Sequence, residues 1–222
     1  MPEERLGTMT EDYVKVIFKS HEWSNEGLTT NDLAAVLGVA PSSVSGNLKK
    51  LAREGFLDYE PYGRATLTRS GRQLAVQVVR RHRLIETYLV EHFGYGWDEV
   101  HDEAEVLEHA ISDRLLAKID AELGFPDHDP HGDPIPAADG TVTHPEGIRL
   151  QELPDGSEGT VVRVSDHDPA LLRYLDTLAV AVGTRVRVVE RHDFAGSLAV
   201  AVGDGNAVEL ANVAAGAIWV AV

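Results

Sequence analysis

Residues 30–64 read TNDLAAVLGVAPSSVSGNLKKLAREGFLDYEPYGR, and the order of elements in this stretch decides the fold. Thr29 and Thr30 are N-cap candidates for a short helix, Asn31 to Leu37, which Gly38 ends. Pro41 or Ser42 opens a second helix that runs to about Glu54, with Val44, Leu48 and Leu51 on one face and Gly55 as its stop. Phe56 to Tyr59 and Thr66 to Thr68 look like two short strands, joined by the turn Pro61-Tyr62-Gly63-Arg64. Helix, glycine turn, helix and hairpin is the order of a winged helix-turn-helix. The second helix starts on small polar residues. Ser42, Ser43, Ser45 and Asn47 suit contact with base edges, and Lys49, Lys50, Arg53 and the hairpin Arg64 suit pairing with phosphates.

Working outward, Tyr13, Val14, Ile17 and Phe18 place a helix with 3–4 apolar spacing over Thr10 to Lys19. Ser70 is the expected cap of a long helix, Gly71 to Phe93, and Asp98 is expected to open another to about Leu123. Residues 124–146 then scatter eight glycines and prolines and read as irregular. Beyond them come short β runs, Gly159 to Val164, Thr184 to Glu190, Ser197 to Val202, Ala207 to Leu210 and Ala217 to Val222, interrupted by a helix from Pro169 to Leu178. The expected architecture is mainly α with small β. A winged helix-turn-helix occupies 1–73, a helical dimerisation and metal-binding domain with a Pro-rich linker occupies 74–146, and an SH3-like β-barrel occupies 147–222.

Charge divides along the same lines. The 222 residues carry a formal net charge of −16. Residues 1–81 hold 11 Lys/Arg and 10 Asp/Glu, leaving 9 and 26 of the chain's 20 and 36 for the remainder. A near-neutral first part with local basic clusters suits nucleic acid, and an acidic second part suits cations. There is no cysteine, which excludes disulfides, thiolate zinc sites and iron–sulfur clusters, so a metal must be held by Asp, Glu and His. A polar start at Met1 to Thr10 and no apolar run of membrane-spanning length make the cytoplasm the expected location, with no membrane partner.

The densest chemical signal is His101-Asp102-Glu103-Ala104-Glu105-Val106-Leu107-Glu108-His109. On an α-helix turning about 100° per residue, His101, Glu105, Glu108 and His109 cover an arc of roughly 100°. Leu107 and Ala110 are then expected on the far side, in a core. Carboxylates crowded on one face repel each other, and a divalent cation removes that cost. His82 and Glu86 repeat the device at i, i+4 spacing, and Asp12, His128, Asp129 and His131 lie elsewhere in the chain, with His128 read as exposed loop. The His-Glu-x-x-His signature, paired Glu-x-x-His motifs, phosphate-binding glycine loops and Gly-x-Ser-x-Gly are all missing, which argues against an enzyme.

Taken together, a winged helix-turn-helix, His82-Arg83-Leu84-Ile85-Glu86, the 101–109 motif, a Pro-rich link and a small β-domain closely resemble the diphtheria toxin repressor family of metal-activated regulators, in its manganese-responsive branch. The resemblance implies a homodimer on a double-stranded operator, controlling manganese uptake, with about two Mn2+ sites per subunit. Fe2+, Co2+, Cd2+ and Zn2+ would be able to bind in vitro. It assigns the primary site to Asp12, Glu105, Glu108 and His109. It assigns the second to His82, Glu86 and His101, joined by Asp129 and His131 from the linker and Asp166 from the β-domain. Short manganese members carry a Glu three residues after the first-helix Asp, where this chain has Lys15, which implies separated primary and second sites. Iron-responsive relatives place Met and Cys at Asp12 and Glu105, and an iron(II) regulator is the alternative within the family. A metal-binding enzyme or storage protein with an incidental helix-turn-helix is the alternative outside it.

Overall fold

The structure, a computed structural model, describes residues 7–23, 27–60 and 63–222. They form two compact units, Met1–Arg81 with Ala138–Gly140 and His82–Ala137 with Thr141–Val222.

In the first unit, helix α1 (Thr8–Trp23) buries Tyr13, Val14, Ile17 and Phe18, as their spacing requires. Helix α2 (Thr30–Val36) starts on a reciprocal cap: the Thr29 hydroxyl accepts from the Asp32 amide, and the Asp32 carboxylate accepts from the Thr29 amide at 2.9 Å. Gly38 follows at φ +64°, the left-handed turn that lets the chain leave one helix for the next. Helix α3 (Pro41–Arg53) has Pro41 in its first turn and buries Val44, Leu48 and Leu51. Strands β1 (Leu57–Asp58) and β2 (Thr66–Leu67) pair antiparallel as the expected hairpin. Of its expected turn, Pro61 and Tyr62 lie outside the described residues. Tyr13, Ile17, Leu33, Leu48, Leu51 and Leu57 close one core across helices and hairpin.

The long helix α4 (Arg69–Phe93) begins one residue before the expected cap at Ser70. Thr68 performs that role, its hydroxyl accepting from the Gly71 amide at 3.1 Å. A buried ion pair, Arg81 to Glu11 at 2.7 Å, ties α4 to α1.

The second unit corrects the expectation of one helix from Asp98 to Leu123. Helix α5 (Val100–Leu107) and helix α6 (Asp113–Glu122) are separate, because the Ser112 hydroxyl takes the Leu115 amide and starts α6 afresh. Leu107 and Ala110 are exposed, contrary to the helical-wheel expectation, while Val100, Ala104 and Glu108 are buried. The face of α5 that turns inward is therefore the one that carries potential ligands. Leu84, Ile85, Leu89, Val100, Ala104, Ile111 and Ile119 pack together behind it.

Beyond α6 the chain is irregular, as expected, but it is not a loose tether. Asp129 and residues 131–136 are buried. Their polar backbone is satisfied by turn bonds such as Asp129 N–H to Asp133 O at 3.0 Å, and by the Val164 amide donating to the His131 carbonyl at 2.8 Å. The β-domain is a six-stranded antiparallel sheet. It contains β3 (Ile148–Arg149), β4 (Glu158–Val164), β5 (Arg185–His192), β6 (Ser197–Val202), β7 (Ala207–Ala211) and β8 (Ile218–Ala221), in the order β3-β8-β4-β5-β6-β7. Helix α7 (Pro169–Thr177) lies between β4 and β5 in sequence, and a short helix α8 (Asn212–Gly216) lies between β7 and β8. Sequence patterning did not indicate β3 or α8. The alternating inward residues Val161, Val186, Val188, Leu198, Val200, Leu210 and Val220 make its core.

Gly71 tests the seating of the hairpin on α4. A Cβ built there would stand 2.0 Å from the Phe56 carbonyl oxygen, so no side chain fits without parting the hairpin base from the helix. Gly71→Ala is expected to cost about 1–3 kcal/mol, the usual range for overpacking, read as a lower urea midpoint. An unchanged midpoint would refute the close approach.

Candidate metal centre

The second unit gathers titratable side chains from four places. His82 and Glu86 come from the second half of α4, and His101, Glu105 and Glu108 from α5 and its cap. Asp129 and His131 come from the buried linker, and Asp166 follows β4. The i, i+4 pair on α4 holds as read, His82 Nε2 lying 2.9 Å from Glu86 Oε1. The other ring nitrogen, Nδ1, lies 2.6 Å from Glu108 Oε2, so one imidazole links α4 to the end of α5. His101 Nδ1 stands 3.2 Å from His82 Nε2, 3.3 Å from Glu86 Oε1 and 3.7 Å from Asp166 Oδ2. Its Nε2 lies 3.3 Å from Glu105. His109 Nε2 lies 3.4 Å from Glu108. Within this unit, ligand atoms of His82, Glu86, His101 and Asp166, of Glu86, Asp129 and His131, and of His82, Glu105 and Glu108 lie within 4.8 Å of one another in each group. Asp12, on α1, belongs to the first unit and is half-buried. His128 is exposed, as expected of a loop.

Two observations fit this donor set to a cation. His131 Nε2 donates to the Trp97 carbonyl at 2.7 Å, which leaves Nδ1 buried, without a hydrogen-bond partner and facing carboxylates. Glu86 Oε2 is likewise buried with no hydrogen-bond partner. Buried polar atoms without partners are costly, and a bound ion removes the cost. Nitrogen and carboxylate oxygen with no sulfur is a set suited to manganese, iron or zinc.

Sequence reasoning missed the frame that holds these donors. Arg83, buried and next to His82 on α4, donates to the Pro134 carbonyl at 2.7 Å and pairs with Asp133 at 2.9 Å. Arg163 of β4 pairs with the other oxygen of Asp133. Asp129 Oδ1 accepts from the His131 and Asp133 amides at 2.8 and 2.9 Å. Arg83 stood next to His82 in the sequence, but Asp133 and Arg163 carry no periodicity or spacing that marks them. In the β-domain, His192 of β5 lies 2.9 Å from Glu209 of β7, across the intervening β6.

Charges shift accordingly. Burial pushes the Glu86 carboxyl up, but the His82 charge and the His101 and His82 hydrogen bonds outweigh it and hold the group well below the usual range. Burial likewise raises Asp133, and Arg83 and Arg163 bring it below its ordinary value. For His131, burial opposes protonation, yet Asp129, Glu86 and Asp166 raise its affinity for a proton.

On α3 of the first unit, Ser42, Ser43, Lys49, Lys50 and Arg53 are exposed and Ser45 is half-buried. No side chain caps the helix start. The Asn47 amide donates to the Tyr13 hydroxyl at 3.1 Å. Arg64 also has an internal role, donating to the Gly27 carbonyl at 2.6 Å.

Three family models match the chain: "Iron dependent repressor, N-terminal DNA binding domain" over residues 5–65, "Iron dependent repressor, metal binding and dimerisation domain" over 68–137, and "FeoA domain" over 148–222. The iron-dependent repressor IdeR of Mycobacterium leprae is 33% identical over 193 residues, covering 81% of this chain and 83% of that protein. Among solved structures, a "Manganese-dependent transcriptional repressor complex with manganese" is 52% identical with a TM-score of 0.91, covering 95% of this chain and 98% of the other. ScaR with bound Cd2+ is 33% identical with a TM-score of 0.82, covering 96% and 98%. The manganese regulator SloR is 31% identical with a TM-score of 0.81, covering 96% and 97%.

Asp129 gives the centre a pH signature. Burial and the neighbouring Asp133 raise its carboxyl to about 7, from an ordinary value of 3.8. The folded protein thus keeps a proton that the unfolded chain releases, so this contribution to stability is full below the ordinary value and is lost as pH rises towards 7. Asp129→Asn keeps an oxygen for the two amides and never ionises. In chelator at pH 8 the variant is expected to melt at a higher temperature than the wild type, with the gap shrinking towards pH 5. A wild type equally stable at pH 8 would contradict the buried charge.

Proposed function

The chain belongs to the iron-dependent repressor family, that of the diphtheria toxin repressor, and on that premise we propose that it represses manganese-uptake genes in the cytoplasm as a manganese-activated homodimer on operator DNA. It is a metal-dependent transcriptional regulator and not an enzyme. The observation that carries the metal reading is the donor set of the second unit, built from imidazole and carboxylate with no sulfur. Manganese lies low in the Irving–Williams order, so a protein favours it by oxygen-rich ligation and geometry and not by raw affinity. Asp12 and Glu105 stand where iron-responsive relatives carry Met and Cys, which favours manganese over iron for this chain.

The proposed first centre is Asp12, Glu105, Glu108 and His109. The second draws on His82, Glu86, His101, Asp129, His131 and Asp166. When bound, divalent ions supply the positive charge that these crowded carboxylates lack. His82 connects the two sets, since its Nδ1 faces Glu108 while its Nε2 faces Glu86. A ligand whose second nitrogen is fixed by a carboxylate keeps its tautomer and orientation. Asp12 stands on α1, next to Tyr13, whose hydroxyl is bonded to Asn47 of α3. Ligation of Asp12 is thereby felt at the recognition helix. Ser42, Ser43 and Ser45 at the start of α3 serve base and phosphate contacts, and Lys49, Lys50 and Arg53 serve phosphates. Asn47 joins the serines in base contacts and Arg64 of the wing pairs with phosphate, while their bonds to Tyr13 and Gly27 position the recognition helix and the wing.

A gel shift tests the reading. Manganese is expected to give a specific shift that excess chelator abolishes and added manganese restores. Equal binding in chelator would sink the sensor and leave a metal-binding protein with an incidental helix-turn-helix.

Metal choice is expected to follow Asp12 and Glu105. In the double variant Asp12→Met, Glu105→Cys, anaerobic titration of DNA binding should show iron(II) gaining on manganese, because soft sulfur replaces two hard oxygens. Glu108→Ala should raise the midpoint for both metals. A double variant with the wild-type ratio would move selectivity to other ligands.

A further inference from the structure

Two glycines lie inside helices of the first unit, and the fold needs only one of them. Gly71, in the first turn of α4, has the Phe56 carbonyl oxygen 2.0 Å from where a Cβ would stand. Gly46, in the middle of α3, has nothing within 4 Å of its Cβ position, is exposed, and has no positive φ. A glycine inside a helix gives up backbone entropy that alanine does not, so an exposed and uncrowded helical position ordinarily favours alanine. Packing within the chain gives no reason for the residue at 46.

Its place on the helix gives one. At about 100° per residue, the buried Val44, Leu48 and Leu51 lie on the side away from Gly46, whereas Ser42, Ser43, Lys49, Lys50 and Arg53 all fall within about 60° of it. Gly46 is the centre of the exposed face, with two hydroxyls one turn before it and three cations in the two turns after it. The side chains around it are graded in length. A serine hydroxyl stands close to the helix backbone and meets a base edge only if that backbone comes near. Lysine and arginine reach phosphates from further away. The major groove, about 12 Å wide and about 8.5 Å deep, admits a helix of about 10–12 Å diameter with little to spare. A side chain at the centre of this face would stand between the helix and the groove floor.

We propose that Gly46 sets the depth at which α3 enters the major groove: the missing side chain lets the helix backbone close on the base edges and brings the Ser42 and Ser43 hydroxyls within reach of them. The proposal rests on the operator-binding reading above and names a determinant of its specificity. Gly46 is a positioning residue, and what it positions is the sequence-reading part of the interface. The phosphate contacts of Lys49, Lys50 and Arg53 depend less on that depth, because long side chains adjust.

The test uses the full chain loaded with manganese(II), a duplex selected by the wild type from a random-sequence pool, and an unrelated duplex of equal length. Gly46→Ala and Gly46→Met introduce better helix formers, so both variants are expected to melt at or above the wild-type temperature. Binding to the selected duplex, followed by fluorescence anisotropy, is expected to weaken about tenfold in Gly46→Ala and further in Gly46→Met. Binding to the unrelated duplex should stay near the wild-type value. In a background of Ser42→Ala and Ser43→Ala, Gly46→Met should cost the selected duplex little more, because contacts already lost cannot be lost again. Four results would each overturn the role of Gly46 and leave the repressor reading intact: undiminished binding of the variants to the selected duplex, an equal loss on both duplexes, full additivity with the serine changes, or a variant that melts below the wild type. A wild type that selects no duplex in the presence of manganese overturns the repressor reading itself, and the role of Gly46 with it.

Discussion

Carboxylates placed out of water set the terms for the whole second unit. Glu86, Glu108, Asp129, Asp133 and Asp166 are all buried, and an ionised carboxylate in a low-dielectric interior is costly unless charge or hydrogen bonds answer it. The chain answers in two ways. Permanent cations, Arg83 and Arg163, neutralise Asp133 and pin the linker to α4 on one side and β4 on the other. Arg83 also lies 3.6 Å from Asp129, and titratable or exchangeable partners, the imidazoles and in the proposed reading metal ions, answer Glu86, Glu108 and Asp166. The division separates what is always folded from what responds to the cell: the arginine pairs need nothing from outside, while Glu86 and His131 retain atoms that the protein itself does not satisfy.

This arrangement explains why α5 faces the way it does. An amphipathic helix ordinarily turns its apolar stripe inward. Here Val100 and Ala104 share the inward face with Glu108, and Val106 and Leu107 are left exposed. Small or β-branched residues at 100 and 104 let the helix come near enough to α4 for His82 to reach Glu108. Packing is thus subordinated to the carboxylate–imidazole contact.

Much of this was legible in the sequence, and what was not has a physical reason. Turn and cap chemistry announced the helix-turn-helix: Thr29 with Asp32, Gly38 at positive φ and Pro41 in the first turn are local signals that local structure obeys. Period-two patterning gave β4 to β7 almost to the residue, whereas β3 has only two residues and no room for a period. The imidazole–carboxylate pairs on α4 and α5 follow from helical spacing alone. The break between α5 and α6 was missed because Ser112 as a cap was not weighed against an uninterrupted polar–apolar pattern. The inward face of α5 was misjudged because a helical wheel cannot tell a core from a buried charged cluster. Asp133 and Arg163 are 30 residues apart and meet only through the fold, so no single segment could reveal them. Asn47 looked like a base reader by type and position, and only the tertiary contact to Tyr13 shows its other obligation.

Gly132 bears on how this chain can change over evolutionary time. At φ +82°, with the Val162 carbonyl oxygen 2.0 Å from where a Cβ would be, it locks the segment 129–136 against β4 with no tolerance for a side chain. Residues 137–140, immediately after, are exposed. The apparent linker is therefore two kinds of sequence in one stretch. Insertions and drift can accumulate from Ala137 onward, where backbone burial imposes little. The preceding eight residues have fixed length and fixed spacing, and a change of one residue between Asp129 and Asp133 would move both proposed metal donors and their arginine anchor together.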